Sequence, residues 1–187
     1  FSPNSNADIS DLLFQSISII TTTGFSVGYT SGWAPSIGFL LLIGAFIGAC
    51  SGSVGGGVKS WRVLIMINYA YITLKKMIHP NAVISLKIGN KSVDDSVASS
   101  VWGFFSIYVI SFIILLLGLL ITGLDFESAF SAIGACLNNL GPGLGEVSNN
   151  YQSVTPVGKI ILSFAMILGR LEIFTLLVLL TPAFWNK

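Results

Sequence analysis

The residues DFESAFSAIGACLNNLGPG, positions 125–143, read as a short helix that stops abruptly in an apolar setting. Asp125 and Glu127 supply helix-start chemistry, and the apolar and small residues after them run only to Leu137. A segment of that length cannot cross a hydrocarbon core of about 30 Å at about 1.5 Å per residue. It then meets Asn138-Asn139-Leu140-Gly141-Pro142-Gly143, which cannot continue comfortably as helix. Non-helical backbone at membrane depth is tolerated only where protein or water satisfies its polar groups. A half-spanning helix that turns back toward its own side meets that condition.

The same pattern occurs earlier in the chain. Asp8 and Ser10 open an apolar segment that ends at Ile20 and runs into Thr21-Thr22-Thr23-Gly24-Phe25-Ser26. A displacement of 117 positions puts Asp8 on Asp125, Gly24 on Gly141 and Gly28 on Gly145, and after a four-residue insertion Pro35 falls on Pro156 and Gly48 on Gly169. The repeating unit is helix, half-helix, loop, helix. Residues 93–187 form one complete unit: an uncharged spanning helix at 101–122, the half-helix at 125–137, the loop at 138–143 and a last helix at 157–183. Residues 1–92 lack the first helix and comprise a half-helix at 8–20, a loop at 21–26, a helix at 36–74 and a basic segment at 75–92. The helix at 36–74 is expected to be broken, because Cys50-Ser51-Gly52-Ser53-Val54-Gly55-Gly56-Gly57 interrupts its apolar character. The fold expected is an all-α integral membrane protein. Internal repeats of this kind commonly place a membrane site on the symmetry axis.

Composition supports lipid as the solvent. Of 187 residues, 53% are apolar and 9% charged, where soluble domains average roughly 25% charged. A net charge of +1 gives no basic face for nucleic acid. Cys50 and Cys136 lie in apolar or small-residue stretches without metal-ligand spacing, which predicts ordinary helix packing. The chain opens Phe1-Ser2-Pro3-Asn4 with neither an initiating Met nor a signal peptide, so a longer polypeptide is expected. From Lys59 to Lys91 there are six Lys or Arg and no acid, whereas Asp8, Asp11, Asp125, Glu127 and Glu146 flank the half-helices. By the positive-inside rule the 75–100 connection is cytoplasmic and both half-helices enter from outside.

The two loops suit one kind of chemistry. A dehydrated cation passes a narrow pore only if carbonyl oxygens replace its water. Pointing successive carbonyls at one axis requires unusual dihedrals, which glycine adopts without steric penalty. Gly24 and Gly141 stand where that demand falls, and Pro142 has no N–H to satisfy. The partial negative charge at each half-helix C-terminus favours a cation close by. Either loop alone is equally a Gly/Pro turn at a membrane surface; their recurrence in register favours the pore.

TTTGF at 21–25, GACSGSVGGGVK at 48–59, HPNAV at 79–83, NNLGPGLGEV at 138–147 and GRLEIFTLLVLLTPAFW at 169–185 resemble the TrkH family of potassium-uptake subunits, in the Trk/Ktr/HKT superfamily. The resemblance covers essentially the whole chain, as the third pore repeat without its first helix and the entire fourth. It implies a pseudo-fourfold pore of four repeats in one polypeptide, a homodimer and a multi-pass location in the bacterial plasma (inner) membrane. Thr22, Thr23, Gly24 and Phe25 would form the third filter strand, and Asn139, Leu140, Gly141 and Pro142 the fourth, with potassium at their carbonyls as the permeant ligand. No catalysis and no covalent cofactor are implied.

The resemblance also makes the Gly-rich break an intramembrane gate, carried here by Gly52, Ser53, Gly55, Gly56 and Gly57. Close packing of small residues is the other reading of that stretch. Arg170 sits near the centre of the last helix, where insertion costs about 2.5 kcal/mol or more, so a function is the default expectation. It is expected to project below the filter, bond loop carbonyls and form an electrostatic barrier. Glu172 does not face it along the helix and would meet a neighbouring element. Lys59, Arg62, Lys75, Lys76, His79, Lys87 and Lys91 make a basic cytoplasmic surface that serves orientation and anionic-lipid contact. The resemblance adds docking of a cytosolic ring of nucleotide-binding regulatory subunits, at Lys75, Lys76, His79 and Lys87. An intramembrane carrier or enzyme binding an organic anion at Arg170 and Glu172 would need a nucleophile, a metal cluster or an enclosed pocket, and the sequence offers none. A dry structural subunit is a third class.

Overall fold

The computed structural model describes residues 9–25, 35–50, 52–53, 55–80, 84–89, 91–148 and 150–170. Six α-helices follow in order among them: α1 (Ile9–Ile20), α2 (Pro35–Ile47), α3 (Ser60–Ile78), α4 (Asp95–Ile121), α5 (Phe126–Leu137) and α6 (Pro156–Arg170). Asp8, Ser26, Glu172 and the expected continuation of the last helix to 183 lie outside the described residues.

Helix α3 runs to Ile78, beyond the expected end at 74, and two further features differ from expectation. Helix α4 starts at Asp95 rather than 101, because Asp94 takes an extended cap conformation and the polar Asp95–Ser100 turn is as compatible with helix as the apolar run it precedes. The basic segment is not wholly irregular or helical: β1 (Lys87–Ile88) and β2 (Lys91–Ser92) pair antiparallel, with Lys87 opposite Ser92. Val93 N–H donates to the Leu86 carbonyl at 2.8 Å, and buried Leu86 fastens this ribbon to Ile65 of α3 and Ala98 and Val101 of α4.

Helix α4 has 27 residues and is long and apolar enough to cross a membrane; at about 1.5 Å per residue it extends about 40 Å. Only 28% of its most apolar window is buried within the chain, and Ile110, Ile113, Ile114, Leu117 and Ile121 face outward. A soluble core helix of such composition would hide those side chains; a lipid-facing one need not.

The main core lies between α4, α5 and α6, centred on Leu119, Ile133, Leu137 and Ala165, which are fully buried. Helix α5 is enclosed almost all round, from Ser128 and Ala129 to Ser131–Leu137. It begins with the Asp125 carboxylate accepting the Glu127 N–H at 3.2 Å and ends beneath α2, whose Phe46 ring meets Tyr108 and Phe112 of α4 edge-on. Helix α1 instead packs on α2 and leaves Leu13, Phe14 and Ile17 exposed.

The α2–α3 connection is a closed excursion. Val58 N–H donates to the Phe46 carbonyl at 2.9 Å and Ser60 N–H to the Ala49 carbonyl at 3.2 Å, so α3 starts beside the end of α2. Those two bonds satisfy groups that a helix break would otherwise orphan.

Candidate functional site

Both half-helices end in the same motif. Thr22 N–H donates to the Ile19 carbonyl at 3.1 Å and Thr23 N–H to Ser18 at 2.8 Å; 117 residues on, Asn139 N–H donates to Cys136 at 3.1 Å and Leu140 N–H to Ala135 at 2.8 Å. Each pair is a Schellman closure, which puts the residue after the cap in the left-handed region. Thr22 and Asn139 both have φ 54°, and Gly24 and Gly141 follow with φ 82° and 102°. Positive φ therefore alternates with the ordinary backbone of Thr23 and Leu140. Asparagine tolerates this conformation, whereas a β-branched threonine does so against its sterics.

The two strands lie side by side. A Cβ on Gly24 would run into the Leu140 carbonyl oxygen and approach the Pro142 ring at 3.8 Å. A Cβ on Gly141 would meet nothing within 4 Å among the described residues. Phe25 exposes its ring, and its carbonyl accepts the Ser18 hydroxyl at 2.6 Å.

Strand 139–142 is braced from outside by residues that sequence reasoning missed. The Tyr151 hydroxyl donates to the Gly141 carbonyl at 2.6 Å. Burial, reinforced by the neighbouring Cys136 thiol, pushes that phenol far above the ordinary tyrosine range, so it remains a donor. The Ser131 hydroxyl oxygen accepts the Leu144 N–H at 2.8 Å, and that of Ser128 accepts the Glu146 N–H at 3.1 Å. Beneath the strand, the buried Asn138 side-chain oxygen accepts the Tyr108 hydroxyl at 2.8 Å. Only a tertiary fold brings α4 or the 145–154 loop to these atoms, so no local pattern announces them.

The Gly-rich segment abuts the end of α5. A Cβ on Gly56 would collide with the Asn138 carbonyl, and one on Gly48 with the Gly56 carbonyl. Gly57, with φ 84°, would place a Cβ 2.7 Å from the Ala45 carbonyl. Gly55 donates its N–H to the Ser53 hydroxyl at 3.2 Å, and Gly56 donates its own to the Thr22 hydroxyl at 3.3 Å. Gly52 and Ser53 are exposed, and among the described residues nothing lies within 4 Å of a Cβ on Gly52. Cys50 also departs from expectation: it is exposed in this connection, not packed in a helix, whereas Cys136 is buried.

Arg170 ends the described part of α6 with an exposed side chain. The adjoining Gly169 admits the end of α5, since a Cβ there would meet the Leu137 carbonyl and stand 2.7 Å from the Asn139 amide. Of the basic residues, Lys75, Lys76, His79 and Lys87 are exposed at the end of α3 and on the ribbon. Arg62 instead lies over the Phe104 ring of α4, 4.3 Å from its centroid.

The sequence profile of the TrkH family, described as a cation transport protein, matches residues 2–187. The chain belongs to the TrkH family. This TrkH chain is 51% identical over 175 residues to the Trk system potassium uptake protein TrkH of Halomonas elongata, covering 94% of the chain and 36% of that relative. It is 48% identical over 179 residues to the Trk system potassium uptake protein TrkH of Escherichia coli K12, covering 96% and 37% respectively. It therefore spans little more than a third of the length of these relatives. Among solved structures, the potassium transporter TrkH from Vibrio parahaemolyticus superposes with a TM-score of 0.86 at 48% identity, over 94% of this chain and 38% of that one. The fold described above is thus the TrkH fold over the matched portion.

Proposed function

We propose that this chain supplies two strands of a potassium-selective pore in a multi-pass protein of the bacterial inner membrane. The observation that carries the reading is the pair of alternating-φ strands, Thr22–Phe25 and Asn139–Pro142, lying against each other at the ends of two half-helices. Carbonyl oxygens of such strands, which keep a second lone pair where Ser18 or Tyr151 donates to one, can replace the water that a cation loses, and two helix C-termini add partial negative charge there. The relatives' names, which specify potassium uptake, supply the ion. Carbonyl coordination by a four-repeat, pseudo-fourfold assembly selects the ion and makes no covalent bond, so no catalytic residue or cofactor is invoked.

The Gly-rich excursion acts as the gate. Its Gly56 abuts the Asn138 carbonyl, just before strand 139–142, and donates to the Thr22 hydroxyl of strand 22–25, which supports that role. Among the described residues its hydrogen bond to strand 22–25 is the 3.3 Å contact from the Gly56 N–H to Thr22, while Val58 and Ser60 keep the base of the excursion closed, so the loop can leave the strand without unfolding α2 or α3. Arg170 adds a positive charge on α6 at the level of the gate and raises the barrier to a cation there. Arg170→Ala in the full-length protein is expected to raise unstimulated potassium flux severalfold in proteoliposomes. Unchanged flux together with unchanged regulation removes Arg170 from the gate.

Lys75, Lys76, His79 and Lys87 form the cytoplasmic docking face for a ring of nucleotide-binding regulatory subunits, and the protein works as a homodimer. Their exposure at one end of α3 and on the adjoining ribbon supports that role, as does their distance in sequence from both strands.

The brace on Gly141 gives a separate test. Tyr151→Phe removes one hydrogen bond, worth about 1 kcal/mol, and is expected to lower the potassium-over-sodium permeability ratio about fivefold while the protein still folds. An unaltered ratio means that the Tyr151 hydroxyl does not hold strand geometry.

A further inference from the structure

The two left-handed residues do something a helix cap does not require. If Thr22 and Asn139 served only to close the Schellman motifs, glycine would serve at both positions without steric cost. Instead each carries a side chain that reaches the inner helix of its own repeat, the excursion after α2 for Thr22 and the last described turn of α6 for Asn139. The Thr22 hydroxyl accepts the Gly56 N–H at 3.3 Å, inside the α2–α3 excursion. The Asn139 amide, oriented by its neighbours, donates to the Met166 carbonyl at 3.3 Å and accepts the Arg170 N–H at 3.1 Å. Met166 carbonyl and Arg170 N–H are the two ends of one helical rung, and a side chain set astride a rung is a recognised cause of helix bending.

The repeat register makes this more than coincidence. Thr22 and Asn139 are equivalent at 117 residues and share φ 54°, and Ala49, which opens the excursion, is equivalent to Arg170 after the four-residue insertion. One hydroxyl and one amide thus fasten the two strand starts to inner-helix backbone, Thr22 to Gly56 past the end of α2 and Asn139 to a rung within α6. The contacts also close a circuit across repeats, because Gly56, held by Thr22, abuts the carbonyl of Asn138, the residue before Asn139.

We propose that Thr22 and Asn139 are positioning residues, the first tying strand 22–25 to the α2–α3 excursion and the second tying strand 139–142 to the α6 rung that ends at Arg170, so that the state of the gate and the geometry of the filter change together. The proposal rests on the pore reading above. Loss of the Thr22 tie releases the excursion, and loss of the Asn139 tie releases the α6 turn that carries Arg170, while the strand carbonyls remain.

The test uses Asn139→Gly and Thr22→Gly in the full-length protein, because glycine keeps the positive φ and deletes only the tie. A residue acting solely as a cap predicts unchanged flux and unchanged or higher thermal stability. A tie predicts that unstimulated potassium flux rises about two- to tenfold, the population shift from losing one hydrogen bond. The tie further predicts that the permeability ratio falls less than in Gly24→Ala. Asn139→Asp is the second variant should Asn139→Gly not fold: it tolerates the same φ and accepts from Arg170, but as a carboxylate it cannot donate to Met166. Its flux is expected to lie between wild type and the glycine variant. Wild-type flux in both glycine variants, alongside lost selectivity in Gly24→Ala, overturns the tie and leaves the pore reading standing. Wild-type selectivity in Gly24→Ala overturns the pore reading itself.

Discussion

Gly24→Ala is expected to reduce the potassium-over-sodium permeability ratio of the full-length protein by a factor on the order of a hundred, with protein still present in the membrane. Two penalties act together. At φ 82° an alanine is strained whatever its surroundings, a cost of order 1–3 kcal/mol. The added Cβ also points at the Leu140 carbonyl oxygen, a main-chain atom that cannot rotate aside. Relief requires one strand to move, and a carbonyl ring displaced by a fraction of an ångström no longer replaces the hydration shell of one ion in preference to another. About 2.7 kcal/mol of lost discrimination corresponds to the hundredfold figure, at about 1.4 kcal/mol per factor of ten. Gly141→Ala is the built-in comparison. Its φ of 102° is strained too, but a Cβ there meets nothing within 4 Å among the described residues, so the smaller loss belongs to it. Ion fluxes measured under potassium and sodium gradients in proteoliposomes rank the two, and an equal ranking removes the inter-strand contact from the argument.

Gly56→Ala should act in the opposite direction, raising unstimulated potassium flux roughly tenfold or more. Overpacking a well-filled site costs typically 1–3 kcal/mol, and here the obstacle is the Asn138 carbonyl, which α5 and its Schellman closure hold in place. The Gly-rich excursion is the softer partner, so it yields and leaves its position under strand 139–142. If that position obstructs the pore, the closed population falls by the corresponding factor. Gly52→Ala controls for a general effect of alanine in the loop, because among the described residues nothing lies within 4 Å of a Cβ there. Flux in Gly52→Ala should match wild type. A Gly56→Ala protein with wild-type flux and normal assembly would show that the excursion does not gate.

Several of these features were legible in the letters. Helix-start acids at Asp125 and Glu127, the halt after Leu137, and Gly24 and Gly141 at matching places located both half-helices and strands, since start chemistry and glycine demand are local. The break between α2 and α3 followed from glycine density at 55–57. The family resemblance supplied the ion and the four-repeat setting. Thr22 was chosen as a strand residue, yet nothing in its sequence context foretells a left-handed threonine. Its propensity argues against that conformation, and the compensating bond comes from Gly56, 34 residues away. Tyr151, Ser128 and Ser131 were invisible for the same reason, because their value lies in which main-chain atoms the folded loop brings to them. Cys50 was misplaced because apolar neighbours in sequence do not guarantee neighbours in space once the helix has ended.

Direct sight of the permeant ion tests the central claim most sharply. Crystals or vitrified particles of the full-length protein prepared in rubidium or thallium, with element-specific density measured, should show the heavy cation on an axis flanked by the carbonyls of residues 22–25 and 139–142. The density should weaken when potassium is restored and persist when sodium replaces potassium. Heavy-cation density absent from that axis, in protein that still transports potassium, would place the conduction path elsewhere and contradict the account.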